Sequence, residues 1–213
     1  MKINRLLGLL LATLMIGCAD VQTPAGTSLS VAGVNCVIDL SSATEDVSFG
    51  INANSEAIGG WTLGQGFSLT ENKEITSANI LVKRKGLPKG TLTLEIQGSS
   101  GSSTPLPDGT ALGTATFGVT VDSSGNSNLG TISEYIEFTF ASKVSLTKET
   151  LYWMVLSGSY AINDNDLIYW IGSGSNPYAS GRARYTHKVV NDWTSAMFPE
   201  SYDFLFKLGC QKP

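Results

Sequence analysis

The hexapeptide Thr91-Leu92-Thr93-Leu94-Glu95-Ile96 alternates strictly between polar and apolar residues. Successive side chains of a β-strand point to opposite faces of a sheet, so this pattern predicts a strand with Leu92, Leu94 and Ile96 directed into a core. The run Tyr135-Ile136-Glu137-Phe138-Thr139-Phe140 repeats the pattern. Together the two runs indicate an antiparallel all-β domain.

Other alternating or apolar runs, separated by stretches rich in Gly, Ser, Asn and Pro, predict the remaining strands. These runs are Ile75–Val82, Leu151–Leu156, Leu167–Ile171 and Tyr202–Leu208. Leu151–Leu156 is apolar throughout, which is typical of a central strand, and Val37-Ile38 and Val47-Ser48-Phe49 predict extra edge strands. So many strands in a chain of 213 residues predict two packed sheets, a β-sandwich or jelly roll.

The N-terminal segment predicts the compartment in which the protein works. Met1–Arg5 has two positive charges, and an apolar run of eleven residues extends from Leu6 to Ile16. This is the pattern of a secretory signal peptide, and the run is shorter than the roughly 20 residues of a membrane-spanning helix. The ending Met15-Ile16-Gly17-Cys18 resembles the lipobox of bacterial lipoproteins. We therefore expect a signal peptide over residues 1–17 and lipidation at Cys18; the alternative is an ordinary signal peptide with an incidental cysteine.

The resemblance to lipoproteins also implies a place in the bacterial cell envelope. In enteric lipoproteins an Asp directly after the lipidated cysteine retains the protein at the inner membrane, and here Ala19 has that position. The implied location is the outer membrane, with the N-terminal lipid in the bilayer and the protein facing the periplasm or the cell surface. Residues 18–35 are small and polar and predict a flexible tether, followed by a β-sandwich domain over residues 36–213.

Net charge argues against a nucleic-acid partner. The full chain has 14 basic and 18 acidic residues, a net charge of −4, and losing Lys2 and Arg5 with the signal peptide leaves 12 bases against 18 acids, or −6. Binding to phosphate backbones requires a basic face.

The cysteines suggest one disulfide bond. If Cys18 is lipidated, Cys36 and Cys210 remain, one near each end of the domain. An oxidising export compartment permits disulfide formation. We predict a Cys36–Cys210 bridge that joins the first and last strands; the alternative is two unrelated thiols.

A series of strand and turn motifs is spread over residues 60–208 in a characteristic order. The series includes Gly66-Phe67-Ser68-Leu69, Pro107-Asp108-Gly109-Thr110-Ala111-Leu112-Gly113, Thr150–Gly158 and Asn176-Pro177-Tyr178-Ala179-Ser180-Gly181. In this order the motifs resemble the choice-of-anchor R domain family. The resemblance implies an exported bacterial β-sandwich attached to a surface by an anchor, and it brings no catalytic residues.

Motifs for catalysis are missing from the sequence. His187 is the only histidine, and no serine lies in a Gly-x-Ser-x-Gly elbow, so we expect an exposed histidine at a strand end and no enzymatic activity. One metal candidate is the turn that contains Asn163, Asp164 and Asp166, because calcium prefers such oxygen ligands. Asn and Asp are also common in ordinary turns, which is the competing interpretation. No other cofactor is expected.

Aromatic residues are the main candidates for ligand binding. If Tyr152 faces the core, alternation turns Trp153 to the opposite face, and the same logic separates Trp170 from its neighbours. An exposed ring can stack on a sugar or fill a pocket of a partner protein, whereas the alternative is burial in the core. The candidates are Trp153, Trp170, Tyr178, Tyr185 and Trp193.

These observations predict a non-catalytic surface lipoprotein. Its sandwich is expected to bind glycan or a protein partner through exposed aromatics and loops. The alternative is a structural component of the cell envelope without a discrete ligand site.

Overall fold

A computed structural model describes residues 36–51, 60–101, 104–160, 165–187, 193, 198–199 and 201–209. Within these ranges the chain forms β-strands and no helix. The strands are β1 (Ile38–Asp39), β2 (Val47–Ile51), β3 (Trp61–Phe67), β4 (Lys73–Lys85), β5 (Gly90–Ser99), β6 (Pro107–Val119), β7 (Glu134–Leu146), β8 (Tyr152–Gly158), β9 (Leu167–Ser173), β10 (Arg182–His187), β11 (Asp203–Phe204) and β12 (Phe206–Leu208). A search of the same residues finds no apolar helix long enough to cross a membrane.

The strands form two antiparallel sheets. The five-stranded sheet has the order β10-β3-β8-β5-β6, and the seven-stranded sheet has the order β1-β12-β4-β9-β11, with β2 also paired to β9 and β7 to β4. Every strand pairing is antiparallel. The predicted all-β sandwich is confirmed.

The alternating sequence runs place their apolar residues in the core, as predicted. On β5, Leu92, Leu94 and Ile96 have no exposed surface, and the three inward residues of β7 are at most 5% exposed. The apolar strand β8 lies between β3 and β5, which confirms its prediction as a central strand.

The last predicted strand is divided in two at Leu205. Its first part, β11, pairs with β9, whereas its second part, β12, pairs with β4 and β1. The N–H of Leu205 donates to the carbonyl of Ile171 at 2.9 Å. The carbonyl of Leu205 accepts the N–H of Leu81 at 3.2 Å and Nε1–H of Trp170 at 3.1 Å. Leu205 therefore connects β4 to β9 across the break.

The first and last strands of the domain are neighbours. Ile38 pairs with Leu208, Asp39 pairs with Lys207, and the N–H of Val37 donates to the carbonyl of Leu208 at 2.9 Å. The predicted signal peptide (1–17), the predicted tether (18–35) with Cys18, and Cys210 all lie outside the described residues.

A buried polar cluster joins the two sheets. Gln65 on β3 has no exposed surface, and Asp203 on β11 is 1% exposed. Nε2 of Gln65 donates to Oδ1 of Asp203 at 2.9 Å, and Oε1 of Gln65 accepts the N–H of Phe204 at 2.7 Å. Oδ2 of Asp203 accepts the N–H of Tyr178 at 3.0 Å. The cluster thus satisfies the hydrogen-bonding requirement of its buried side chains.

The buried carboxyl group predicts a pH-dependent stability. Burial raises the pKa of Asp203 above its ordinary value of 3.8, although hydrogen bonds from Gln65 and Tyr178 lower it in part. The folded state therefore holds this proton more tightly than the unfolded state, and the contribution of Asp203 to stability falls as the pH rises from 3.8 through the raised pKa. We expect Asp203→Asn to abolish this dependence. The melting temperature of the wild type minus that of the variant should be larger in acid than at neutral pH.

Thermal unfolding of both proteins over this pH range measures the difference, and other acidic groups cancel in the subtraction. A difference that stays constant, or grows toward neutral pH, would contradict the prediction.

Candidate functional site

One face of the five-stranded sheet points away from the core, and we call it the outer face. Its residues alternate along each strand with residues of the hydrophobic core. The outer face presents Arg182, Arg184 and Thr186 from β10; Thr62, Gly64 and Gly66 from β3; Trp153, Val155 and Ser157 from β8; and Thr93, Glu95 and Gln97 from β5.

Two glycines of β3 make room for two tryptophan rings on the outer face. Trp153 is the cross-strand partner of Gly66, and a Cβ atom at Gly66 would lie 3.4 Å from the Trp153 ring. A Cβ atom at Gly64 would lie 3.1 Å from the ring of Trp193. The missing side chains of Gly64 and Gly66 therefore leave the space into which both rings pack.

Trp153 lies on the outer face, as predicted, and it is buried there, which was the alternative to an exposed ring. The side chain has no exposed surface. It packs in a small apolar cluster that includes Trp193, with Leu106 and Leu151 against it. Its Nε1–H donates to Oγ of Ser99 at 3.3 Å. Neighbouring side chains thus cover the ring, and it offers no stacking surface to a ligand.

The alternative of burial also holds for Trp170, because this ring belongs to the main core. Trp170 has no exposed surface, and its ring stacks on that of Phe204 with centroids 4.5 Å apart. The outward residue of this strand is Tyr169, which is half-buried, with Nζ of Lys83 6.0 Å from the centroid of its ring. Because Leu167–Ile171 is apolar throughout, the sequence pattern did not distinguish the two faces.

Tyr178 and Tyr185 are half-buried and pack against the core. The hydroxyl of Tyr178 donates to the carbonyl of Ser68 at 2.6 Å and accepts its N–H at 3.3 Å. Burial raises the pKa of Tyr178, and the hydrogen bonds with Ser68 oppose the shift. The ring centroid of Tyr185 lies 4.8 Å from that of Phe198 and 5.1 Å from that of Trp61. Both tyrosines therefore contribute to the packing of the sandwich.

Trp193, the remaining candidate, borders a cleft on the outer face. The side chain is 7% exposed. The cleft has a volume of about 270 Å³ and is lined by Thr62, Glu95, Gln97, Gly109, Val155, Ser157 and Trp193. We call it the Trp193 cleft. Its volume is near the lower end of the ~300–1,000 Å³ that is typical of small-molecule sites.

The polar side chains of the Trp193 cleft are held in place by hydrogen bonds. Nε2 of Gln97 donates to Oε2 of Glu95 at 2.6 Å, and Oε1 of Gln97 accepts the N–H of Gly109 at 3.1 Å. Gln97 is 6% exposed, whereas Glu95 is half-buried and remains in contact with solvent. A carboxylate and an amide are therefore presented from a central strand in a fixed arrangement.

A buried hydroxyl group lies next to the wall of the cleft. Thr186 is the cross-strand partner of Thr62, which lines the cleft. Thr186 is 1% exposed, and its Oγ1 has no hydrogen-bond partner. Unpaired buried hydroxyls are unusual, because each loses its hydrogen bonds to water.

The proposed calcium ligands are only partly described. Asn163 and Asp164 lie outside the described residues, and Oδ1 of Asp166 accepts the N–H of Leu87 at 2.7 Å. Asp166 therefore fastens the turn between β4 and β5. Among the described residues, no group of three or more His, Cys, Asp or Glu side chains could hold a metal ion.

His187 lies at the end of β10, as predicted, but it is half-buried rather than exposed. Its ring centroid is 6.3 Å from that of Trp61 and 6.4 Å from that of Tyr185. The histidine thus forms part of an aromatic cluster at this end of the strand.

Comparison with known proteins assigns no family: no family model matches the chain, and no curated protein matches it in sequence. The class that the fold and the site define is an antiparallel β-sandwich with a polar cleft on the outer face of its five-stranded sheet.

The packing of Trp193 against β3 predicts a specific effect of adding a side chain at Gly64. We expect Gly64→Val to displace the Trp193 ring, because even a Cβ atom would lie 3.1 Å from it. Overpacking of this kind costs about 1–3 kcal/mol of stability. Acrylamide quenching of tryptophan fluorescence should increase, and chemical denaturation should show the loss of stability.

Gly118→Val is the matched control, because Gly118 lies in β6 of the same sheet and a Cβ atom there would have no neighbour within 4 Å. Equal quenching and equal stability in the two variants would contradict the described packing of Trp193.

Proposed function

We propose that this chain is a lipid-anchored protein of the bacterial cell envelope whose β-sandwich binds glycan, without catalysis, through the Trp193 cleft. The main support is the composition of that cleft. Its lining combines the edge of the largely buried Trp193 ring with a carboxylate, an amide and two hydroxyl groups, and these polar side chains lie on β3, β5 and β8. Sugars present apolar C–H faces and many hydroxyl groups, so they match a lining of this kind.

The dimensions of the cleft favour a small saccharide over a protein surface. A volume of about 270 Å³ suits a ligand the size of a sugar unit. A stable protein interface buries roughly 800 Å² on each partner and needs exposed apolar anchors. Trp153 and Trp170 cannot act as anchors of this kind, because neither side chain has exposed surface.

The hydrogen-bonding groups in the lining suit a ligand rich in hydroxyls. A glycan hydroxyl can donate to the half-buried carboxylate of Glu95 and accept from the hydroxyls of Thr62 and Ser157. The bond from Gln97 holds the Glu95 carboxylate in position before the ligand arrives. A pre-positioned group loses less conformational entropy on binding.

Substitution of Glu95 tests the glycan site. The full chain in detergent micelles is screened on a glycan array, and affinity for the retained glycan is then measured by calorimetry. We expect Glu95→Gln to weaken binding about tenfold or more, since it replaces a charge-assisted hydrogen bond with a neutral one. Ser157→Ala should weaken it by a smaller factor.

Glu71→Gln is the control, because Glu71 is exposed and pairs only with the surface residue Lys73. Binding that survives Glu95→Gln and Ser157→Ala unchanged would exclude the Trp193 cleft as the site. If the array retains no glycan, a structural role in the envelope replaces the binding role.

The lipid anchor is proposed from the predicted signal peptide and from the point in the sequence at which the β-sandwich begins. The lipobox-like sequence Met15-Ile16-Gly17-Cys18 supports lipidation at Cys18, and the first described strand, β1, begins at Ile38. A tether of small polar residues between them would allow the sandwich to stand clear of the bilayer. The motif series over residues 60–208 is the basis on which we also propose a likeness to the choice-of-anchor R family, for which no family model match was found.

A disulfide bond between Cys36 and Cys210 is part of the same proposal. In the antiparallel register of β1 and β12, Ile38 pairs with Leu208 and Asp39 with Lys207. In the sequence Cys36 comes two residues before β1, and Cys210 comes two residues after β12. The pairing of these two strands and an oxidising export compartment support the proposed bond.

Intact mass spectrometry of the protein extracted from its native membranes tests the anchor and the disulfide together. We expect a mature chain that begins at Cys18 and has the added mass of acyl chains. We also expect a mass lower by two hydrogens than that of the reduced protein. Cys18→Ala should remove the acyl mass and leave the disulfide intact, which serves as the internal control.

An unmodified Cys18 would contradict the anchor. Alkylation of Cys36 and Cys210 without prior reduction would contradict the disulfide.

A further inference from the structure

The β6 strand has an open edge. It is the last strand of the five-stranded sheet and pairs with β5 on one side, and no strand of the described residues pairs with its other side. The strand is 13 residues long, about twice the usual length of a β-strand. An open edge of this length offers backbone N–H and C=O groups to a further strand.

Asn128 shows which residues of β6 face the open edge. Its Nδ2 donates to the carbonyl of Gly118 at 2.8 Å, and its Oδ1 accepts the N–H of Thr120 at 2.9 Å. The register of β6 with β5 is regular from Gly113 to Val119, and the direction of the backbone groups alternates along a regular strand. Thr114 and Thr116 therefore direct their N–H and C=O groups toward the open edge as well.

Most of the open edge lacks the charges with which proteins usually protect such strands. Asp108 near the start of β6 is charged, whereas the segment 109–121 contains no charged residue. Lysines and other charges on edge strands normally prevent association between sheets. Two other outermost strands do have charges, namely Arg182 and Arg184 on β10 and Glu134, Glu137 and Lys143 on β7.

We propose that β6 pairs antiparallel with β6 of a second copy of this chain, about a two-fold axis at Ala115. This register places Thr114 opposite Thr116 of the second copy, so that the two residues exchange their backbone hydrogen bonds. Their exposed side chains then form Thr–Thr pairs, which stabilise neighbouring strands. Two five-stranded sheets become one continuous sheet through an interface that each copy forms with the same residues.

A second copy fits this edge better than an unrelated strand because the edge is complementary to itself. In the two-fold register residues 113–117 of the two copies face one another, and none of them is charged, so no like charges are opposed within this segment. The pairing uses Thr114 and Thr116, which do not line the Trp193 cleft, so it is independent of the glycan site.

Sedimentation equilibrium of the full chain in density-matched detergent tests the proposal. We expect a reversible equilibrium between monomer and dimer over protein concentrations from the low micromolar to the millimolar range. The double variant Thr114→Lys, Thr116→Lys should weaken dimerisation about tenfold, since it sets lysines opposite lysines. The double variant Thr114→Lys, Thr116→Glu should restore it, because each lysine then faces a glutamate of the other copy.

Thr139→Lys is the control, since Thr139 is exposed on β7 of the other sheet and should leave the equilibrium unchanged. Hydrogen exchange of the wild type gives a second measurement, in which the amides of Thr114 and Thr116 become protected as the concentration rises. A chain that is monomeric at every concentration would overturn the proposal. A dimer with equal affinity in both double variants would overturn it too, because β6 would then not be the interface.

Discussion

The hydrogen bond between Gln65 and Asp203 is the contact on which the arrangement of the two sheets depends. Both side chains are buried, and each comes from a different sheet. Loss of either partner would leave a buried polar group unpaired, at a cost of about 1–3 kcal/mol. Asp203 also holds Tyr178, whose hydroxyl in turn binds Ser68 at the end of β3. One polar cluster therefore fixes the turn before β10, the end of β3 and the start of β11.

The same contact determines what the outer face looks like. Side chains alternate along β3, so a Gln65 that points inward forces Gly64 and Gly66 outward. On the outer face, Gly64 and Gly66 have no side chains and therefore leave room for the rings of Trp153 and Trp193. A shift of β3 by one residue would exchange the two faces and remove both the inter-sheet hydrogen bond and the tryptophan packing. The core and the Trp193 cleft are in this sense two consequences of one register.

The cleft and the open edge of β6 belong to one sheet but use different groups. The cleft uses side chains above the sheet, whereas the edge uses backbone groups in its plane. A two-fold axis between antiparallel strands can run perpendicular to the sheet. In a dimer joined at β6, the Trp193 clefts of the two copies would then lie on the same face of the joined sheet. If the cleft binds glycan as proposed, two sites on one side would engage a repetitive glycan together, and the effective concentration of the second site would raise the overall affinity.

The sequence by itself determined the strands whose pattern is local. Alternation over Thr91–Ile96 and Tyr135–Phe140 was sufficient for β5 and β7, because the two-residue period is a property of a single strand. Only the tertiary structure decided which outward or apolar residues are covered. Trp153 is buried by Trp193 and other side chains distant in sequence, and Trp170 is buried by Phe204 of a neighbouring strand. Exposure depends on such non-local contacts, and no periodicity within one strand contains them.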